Sequence, residues 1–506
     1  MTARVLPVDS PPARDATWTW AVGFSTIFVL LRLAAIRLSP LQLYADEAQY
    51  WVWSRQLDFG YFTKPPLIAW LIRATTFASD AEPFVRLSSP LLHGAAGLFL
   101  FCAARRLYDA RVGLASLLVY ALMPAVQLGG FVISTDTPLV ACLCGALWAY
   151  AAMQTGDGRG WRAAVGLGVA LGLAFLAKYA ALYAVIGIAA HLALSRSARR
   201  AWSWPAVVAA VAAFALLVGP NLVWNVVHRF ATVSHLQQEA AWGARRGGIG
   251  EALTFLLTQF GIFGPIPFAV LVGGAIWLGL RKRLESPDVL LLCWASPPLL
   301  IVLAQAFVAG AKANWAAAAF APGSILVAAW MLRWGWSRVL GFVLASHLLL
   351  ALGGLAIVTA PQLADRIGLA SALKGVRGGR ETTQLIVGRA RAEQLAGPLS
   401  AVAIDERELF NTAAYYGRDY LGKDGPPLKA WLADGNPQNQ AELAAPLTAA
   451  NGVRVLAVGR DGPRFAPLRA QFQSVGETEL ATIWLDREHQ VNLQMFVGQG
   501  FTGAKR

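Results

Sequence analysis

Across its first 360 residues the chain alternates long apolar runs with short polar turns. Beyond residue 361 the pattern tightens to the scale of strands and short helices. The apolar runs fall at about 17–36, 86–104, 112–130, 136–153, 163–177, 179–195, 204–224, 252–280, 288–309, 314–332 and 339–359. Runs of this length match the hydrocarbon thickness of a bilayer and predict about eleven membrane-spanning helices. The run at 66–78, after Lys64-Pro65-Pro66, is too short to cross and predicts an interfacial helix within a loop at 38–85. In the tail, VAIDERELFNTAAYYG reads as a buried strand followed by a helix, VRVLAVGRDG as a strand ending in a turn, and ATIWLDREHQVNLQMFVG as a closing pair of strands. The expected fold is a polytopic α-helical membrane protein, with a membrane domain at 1–360 and a soluble α/β domain at 361–506.

The turns give the helices a direction. With the N-terminus inside, every short inner turn is basic: Arg105-Arg106 with Arg111, Arg159 with Arg162, Arg196 with Arg199-Arg200, Arg281-Lys282-Arg283, and Arg333 with Arg338. The opposite face then receives the 38–85 loop, the turn at Asp136, the Lys178 turn, the loop at 225–251, the turn at 311–314 and the whole tail. An odd number of spans leaves the C-terminus outside.

Composition agrees with a membrane protein. Of 506 residues 56% are hydrophobic and only 14% are charged, and nineteen tryptophans suit interfacial belts. A formal charge of +14 would suggest nucleic acid in a soluble protein, but here most of the excess lies in the basic turns, so no nucleic-acid partner is expected. Cys102, Cys142, Cys144 and Cys293 all sit in apolar runs without metal-ligand spacing. The polar start, MTARVLPVDSPPARDATWTW, shows no cleavage site after a short apolar core, so the first span reads as an uncleaved anchor.

Against this background the polar residues segregate. Asp46, Glu47, Lys64, Asp136, Lys178, Asn225, His228, Lys312 and Asn314 all map to the outer face, whereas the inner turns carry mainly Arg. Mixed charges converging on one face point to a site at the membrane–water interface. Transfer of a sugar from a lipid phosphate needs a base for the acceptor hydroxyl and cations for the departing phosphate, and the 38–85 loop supplies both kinds of group. The chain has no P-loop, nor a GxGxxG after a strand, so no soluble nucleotide is expected. Each residue also has a plainer reading: Asp46 or Glu47 as the start of a helix, Lys64 as a snorkelling lysine, Asp136 as a helix start before Pro138. Likewise Lys178 reads as a topological outlier, His228 as a surface histidine and Arg86 as a membrane anchor.

The motifs YADEAQYW, GYFTKPPLIAWL, EPFVRLSSPL, STDTPLV, LAFLAKYAALY, GPNLVWNVVHRF and KANWAAAAFAP occur in order over roughly 40–330. In this the chain resembles the polytopic glycosyltransferases that use polyprenyl-phosphate sugars: the protein O-mannosyltransferase-like family and, more closely, the bacterial transferases that add aminoarabinose or galacturonic acid to lipid A. The segments DERELFNTAAYYG and GNPQNQAEL look like the outer α/β domain of many relatives. The resemblance implies the GT-C architecture, a bacterial inner-membrane location and an inverting transfer on the periplasmic face, to lipid A or another envelope glycan. It implies Asp46 as the catalytic carboxylate, with Glu47 beside it and Asp136 positioning donor or acceptor. Lys64 would bind the donor phosphate, with Arg86, Lys178 and His228 as further donor-pocket residues. No cofactor is expected and no ligand cluster demands a metal. LAKYAA departs from the Lys-Gly-Pro pattern of the aminoarabinose branch. The alternatives are a protein O-mannosyltransferase-like enzyme, a lipid-linked sugar transporter or flippase, for which internal repeats and midplane breaks would be expected, and a non-catalytic scaffold.

Overall fold

The computed structural model describes residues 16–156, 160–230, 232, 234, 247–433, 435–460, 462 and 465–503. The polar start, Arg159 and most of the 225–251 loop lie outside the described residues.

The membrane domain is built from α1 (Ala16–Leu38), α2 (Ala45–Ser54), α3 (Leu67–Thr75), α4 (Glu82–Arg86), α5 (Ser88–Leu107), α6 (Ala110–Leu122), α7 (Pro124–Gly129), α8 (Asp136–Gln154), α9 (Gly160–Ala177) and α10 (Leu182–Leu194). It continues with α11 (Arg196–Arg200), α12 (Trp204–Val227), α13 (Ile249–Phe263), α14 (Pro265–Leu280), α15 (Ser286–Ala309), α16 (Phe320–Arg333) and α17 (Ser337–Thr359). Every apolar run read from the sequence is helical. Eight helices among the described residues are long and apolar enough to cross a bilayer; α13 with α14 forms a bent pair, and α6 and 179–194 are shorter. The run at 66–78 forms the short helix α3, preceded by Pro65 and Pro66.

The bent pair breaks at Gly264, where φ is +101° and the axes turn by 118°. Gly264 supplies a backbone conformation that other residues resist, and Pro265 removes the next N–H. Only when taken together are the two halves long and apolar enough to cross. At one end the Gly247 N–H donates to the Val308 carbonyl, beside the 311–314 turn, and at the other Trp277 packs edge-on against Trp334, 5.7 Å away.

Burial sorts the helices into a centre and a rim. In the span 313–333, 83% of the apolar window is inside the protein, against 17% for α17, so the first is the packed centre and the second faces lipid. On the basic-turn face Arg333 is pinned by the fully buried Asp288 at 2.9 Å, and Tyr108 and Trp330 donate to the same carboxylate. This turn thus has a structural acidic partner that its Arg-rich sequence does not reveal.

Beyond residue 361 come α18 (Gln362–Arg366), α19 (Gly379–Ala396) and α20 (Arg407–Tyr416), with β1 (Ala401–Ile404), β2 (Leu428–Ala430), β3 (Arg454–Arg460), β4 (Phe472–Val475), β5 (Glu479–Trp484) and β6 (Gln490–Phe501). The sheet runs β2-β1-β3-β6-β4, with β5 also on β6. β1 is parallel to β2 and β3, and β6 is antiparallel to β3. Alternation puts Val402, Ile404, Leu456 and Val458 against α19 and α20, and Ala401, Ala403, Val455 and Ala457 against Phe465, Phe472 and Phe496.

This domain sits directly on the 38–85 loop. Trp51 of α2 meets Tyr415 of α20 edge-on at 4.9 Å, and the Tyr415 hydroxyl donates to the Asp80 carbonyl. The Tyr416 hydroxyl donates to Glu82 and accepts from the Leu43 N–H, both at 2.8 Å. The Gln440 side chain accepts from the Phe62 N–H at 2.9 Å.

Candidate active site

The chain enters α2 through Tyr44, whose extended backbone (ψ 151°) turns at Ala45 into the helix. Glu47 closes this turn by accepting from the Tyr44 N–H at 2.9 Å. Its carboxylate is fully buried and accepts further from the Ile133 N–H and from Arg86. Arg86 in turn donates to the carbonyls of Leu41 and Gln42. Glu47 and Arg86, both read from the sequence as candidate site residues, are placed by the structure as partners of each other inside the protein. Together they tie the 41–47 segment to α4 and to the loop before α8.

Asp46, one residue earlier, projects the other way. Its side chain is 45% exposed and lies 3.7 Å from Arg407 of α20. Sequence neighbours thus divide into a structural carboxylate and an available one.

Lys64 is positioned by a tight turn in which the Tyr61 N–H donates to its carbonyl at 3.1 Å. Tyr61 stacks on Trp53 at 4.7 Å, with its hydroxyl 3.0 Å from the carbonyls of Trp53 and Gln56; burial pushes that phenol up to about 12. Gly60 lies flat against the Trp224 indole, where any Cβ would clash. Asn221 donates to the Phe59 carbonyl at 2.6 Å, and Thr232 to that of Tyr61 at 2.9 Å. The Tyr179 hydroxyl joins Asn221 and Asn225, so α12 grips both the turn and the start of α10.

These supports frame a cavity of about 370 Å³ lined by Lys64, Lys178, Tyr183, Ile186, Ile301 and Trp315, among others. Its wall is largely apolar, running between α10 and α15, with two ammonium groups set into it. Lys178 pairs with Asp136 at 2.7 Å, and Asn314 donates to the other Asp136 oxygen at 2.8 Å. The arrangement suits an amphiphile with an anionic head and a hydrocarbon tail: the lysines meet the anion and the apolar wall the chain.

The structure therefore brings Lys64, Lys178 and, through Lys178, Asp136 together. His228 stays apart: it is exposed, its ring stacks on Trp224 at 4.0 Å, and its Nδ1 lies 2.8 Å from the Trp224 carbonyl. It occupies the capping position at the end of α12 and is not among the residues lining the cavity. Trp315, Tyr183, Gln440 and Arg407 lie within the motifs quoted above but are not among the candidate site residues singled out there. Their relevance lies in contacts across more than a hundred residues. Among the described residues no group of three or more His, Cys, Asp or Glu side chains is placed to hold a metal ion.

Comparison with known proteins agrees with the resemblance read from the motifs. The family described as dolichyl-phosphate-mannose-protein mannosyltransferase matches residues 63–224. A lipid A galacturonosyltransferase, RgtD, from Rhizobium johnstonii is 39% identical over 313 residues, covering 62% of this chain and 65% of that protein. An undecaprenyl phosphate-alpha-4-amino-4-deoxy-L-arabinose arabinosyl transferase from Pectobacterium carotovorum is 28% identical, covering 61% of this chain and 59% of that protein. The chain thus matches less than two thirds of the length of either relative. ArnT from Cupriavidus metallidurans, solved bound to undecaprenyl phosphate, superposes over 94% of this chain and 98% of its own with a TM-score of 0.64 at 16% identity. The fold is the GT-C architecture.

Proposed function

We propose that this chain is an integral-membrane glycosyltransferase that takes a sugar from a polyprenyl-phosphate donor and passes it to a lipid or glycan acceptor. The observation that carries this reading is the Lys64–Lys178 cavity, whose charged groups and apolar wall match a phosphate on a hydrocarbon chain. In this reading the acceptor hydroxyl approaches the Asp46 carboxylate, which takes its proton as the oxygen attacks the anomeric carbon. The bond to the lipid phosphate breaks on the opposite side, inverting the sugar. Lys64 stabilises the departing phosphate, and Lys178 completes the cationic wall while Asp136 and Asn314 hold it in place. A low local dielectric at the bilayer edge strengthens these charge interactions relative to water.

The face bearing the 38–85 loop and the C-terminal domain would be the periplasmic side of a bacterial inner membrane, in keeping with the basic turns opposite. For the substrates, the Rhizobium relative favours a galacturonic-acid donor and a lipid A acceptor over aminoarabinose, as does LAKYAA in place of the aminoarabinose-branch pattern. The test is transfer by purified protein in lipid nanodiscs, given either polyprenyl-phosphate sugar with lipid A or with a hydroxyl-bearing peptide. Product on lipid A from the galacturonic-acid donor is expected. Product only from aminoarabinose, or only on the peptide, would overturn the substrate assignment, and no product from any pair would overturn the transfer reading.

A further inference from the structure

The C-terminal domain does more than cover the loop. Arg407, the first residue of α20, is the cation facing Asp46, with Nη2 3.7 Å from Oδ1 and the two side chains 34% and 45% exposed. That separation permits a charge interaction but not a tight hydrogen bond, so the carboxylate keeps its lone pairs available. Glu47 is the contrast: it is saturated by donors and fully buried.

The surroundings single out Arg407. On its own helix Asp46 has Tyr44 and Glu47 as neighbours, and Glu47 is neutralised by Arg86. From α20 come Arg407 and Glu408. Arg460 of β3 covers Glu406 at 3.1 Å and Glu408 at 3.8 Å. Lys374 and Arg377 line the small cleft at Tyr44 and Ala45, but Arg377 is paired with Asp365 at 2.8 Å. With the nearby carboxylates drawn to Arg460, Arg407 is left to Asp46. The pair also has a firm base, because Trp51 of α2 packs on Tyr415 of α20, while the Tyr416 and Tyr415 hydroxyls bond Leu43 and Asp80 of the same loop.

We propose that Arg407 is a positioning residue for the transfer reaction: it orients the Asp46 carboxylate from across the domain boundary, so the C-terminal domain completes the site. This rests on the transfer reading above, and the test separates the two. Full-length Arg407→Ala and Arg407→Lys proteins are compared with wild type in nanodiscs by two readouts. The first is the extent of carbodiimide labelling at Asp46 at one fixed pH, followed by peptide mass spectrometry, which needs no activity. Labelling should rise in Arg407→Ala, where the carboxylate loses the side chain that faces it, and should return to the wild-type extent in Arg407→Lys. The second is kinetics: kcat should fall about tenfold in Arg407→Ala, with the donor KM unchanged, and should recover in Arg407→Lys. Unchanged labelling in Arg407→Ala overturns the proposal. So does a loss confined to the acceptor KM, which would make Arg407 an acceptor contact, or an equal loss in both variants. Absence of product from wild type, with labelling still rising in Arg407→Ala, sinks the transfer reading alone.

Discussion

Glu47 and Arg86 meet at 2.7 Å with side chains 0% and 5% exposed, which makes them a buried structural pair one residue away from the exposed carboxylate of Asp46. Removing one partner of such a pair leaves the other charge buried without compensation, at a cost of about 3–5 kcal/mol. Glu47→Gln should therefore lower thermal stability in nanodiscs sharply. Asp46→Asn should leave the melting temperature near wild type and reduce turnover by about 10²–10⁴-fold, the usual scale for loss of a general base. The reverse pattern, a stable but inactive Glu47→Gln, would assign the chemistry to the wrong carboxylate.

Lys64 and Lys178 share one cavity but differ in company, since Lys178 is held by Asp136 at 2.7 Å. Lys64→Ala should raise the donor KM and lower kcat, by roughly 10²–10³-fold in kcat, if the lysine stabilises developing charge on the phosphate. Lys178→Ala and Asp136→Ala should be non-additive, with a coupling of about 0.5–3 kcal/mol for residues in direct contact. Steady-state kinetics on the two single variants and the double variant measure this. Strict additivity would show that Asp136 acts on substrate independently of Lys178.

The same residues show what the sequence makes legible. Apolar runs of bilayer length are local signals, so the helices could be read. Among the described residues, however, eight, or nine with the bent pair, are long and apolar enough to cross where about eleven were expected, because breaks at Met123-Pro124 and Gly264-Pro265 divide runs that the sequence shows as continuous. Lys64 and Lys178 stand out in the sequence because charges in greasy surroundings are conspicuous, and the structure sets both on one cavity. What the sequence could not reveal is pairing. Glu47 and Arg86 are 39 residues apart, and nothing local distinguishes a buried ion pair from two surface charges. His228 followed the same logic in reverse, since its stacking on Trp224 depends on how the end of α12 emerges. Arg407 and Gln440 lie in another domain, so their contacts with the loop exist only in three dimensions.

The domain contact makes its own prediction. The Tyr416 hydroxyl accepts from the Leu43 N–H and donates to Glu82, and desolvation, reinforced by Glu82, raises its pKa. Tyr416→Phe leaves both partners short of a bond and should cost about 1–3 kcal/mol. Hydrogen exchange at 41–47 should quicken, while exchange in β1 and β3 stays unchanged. Uniform acceleration across the C-terminal sheet would mean instead that Tyr416 supports its own domain and not the junction.

Gly264 tests whether the broken span serves the site. At φ +101° a side chain at this position is strained, and a Cβ would meet the His347 ring. The bend aims α13 so that Gln259 donates to the Ala313 carbonyl at 3.3 Å, immediately before Asn314 and Trp315. Gly264→Ala should therefore destabilise the protein by about 1–2 kcal/mol from the backbone term alone, and should weaken donor binding because the 313–315 turn shifts. Gly261 provides the control: it lies in the same helix with open space around its Cα, so Gly261→Ala should be neutral or stabilising by about 0.5–1 kcal/mol. Thermal unfolding and donor KM for the two variants give the comparison. Equal effects would remove any special role for the bend. Loss of stability in Gly264→Ala with donor KM unchanged would uncouple the bend from the cavity and leave it a purely structural break.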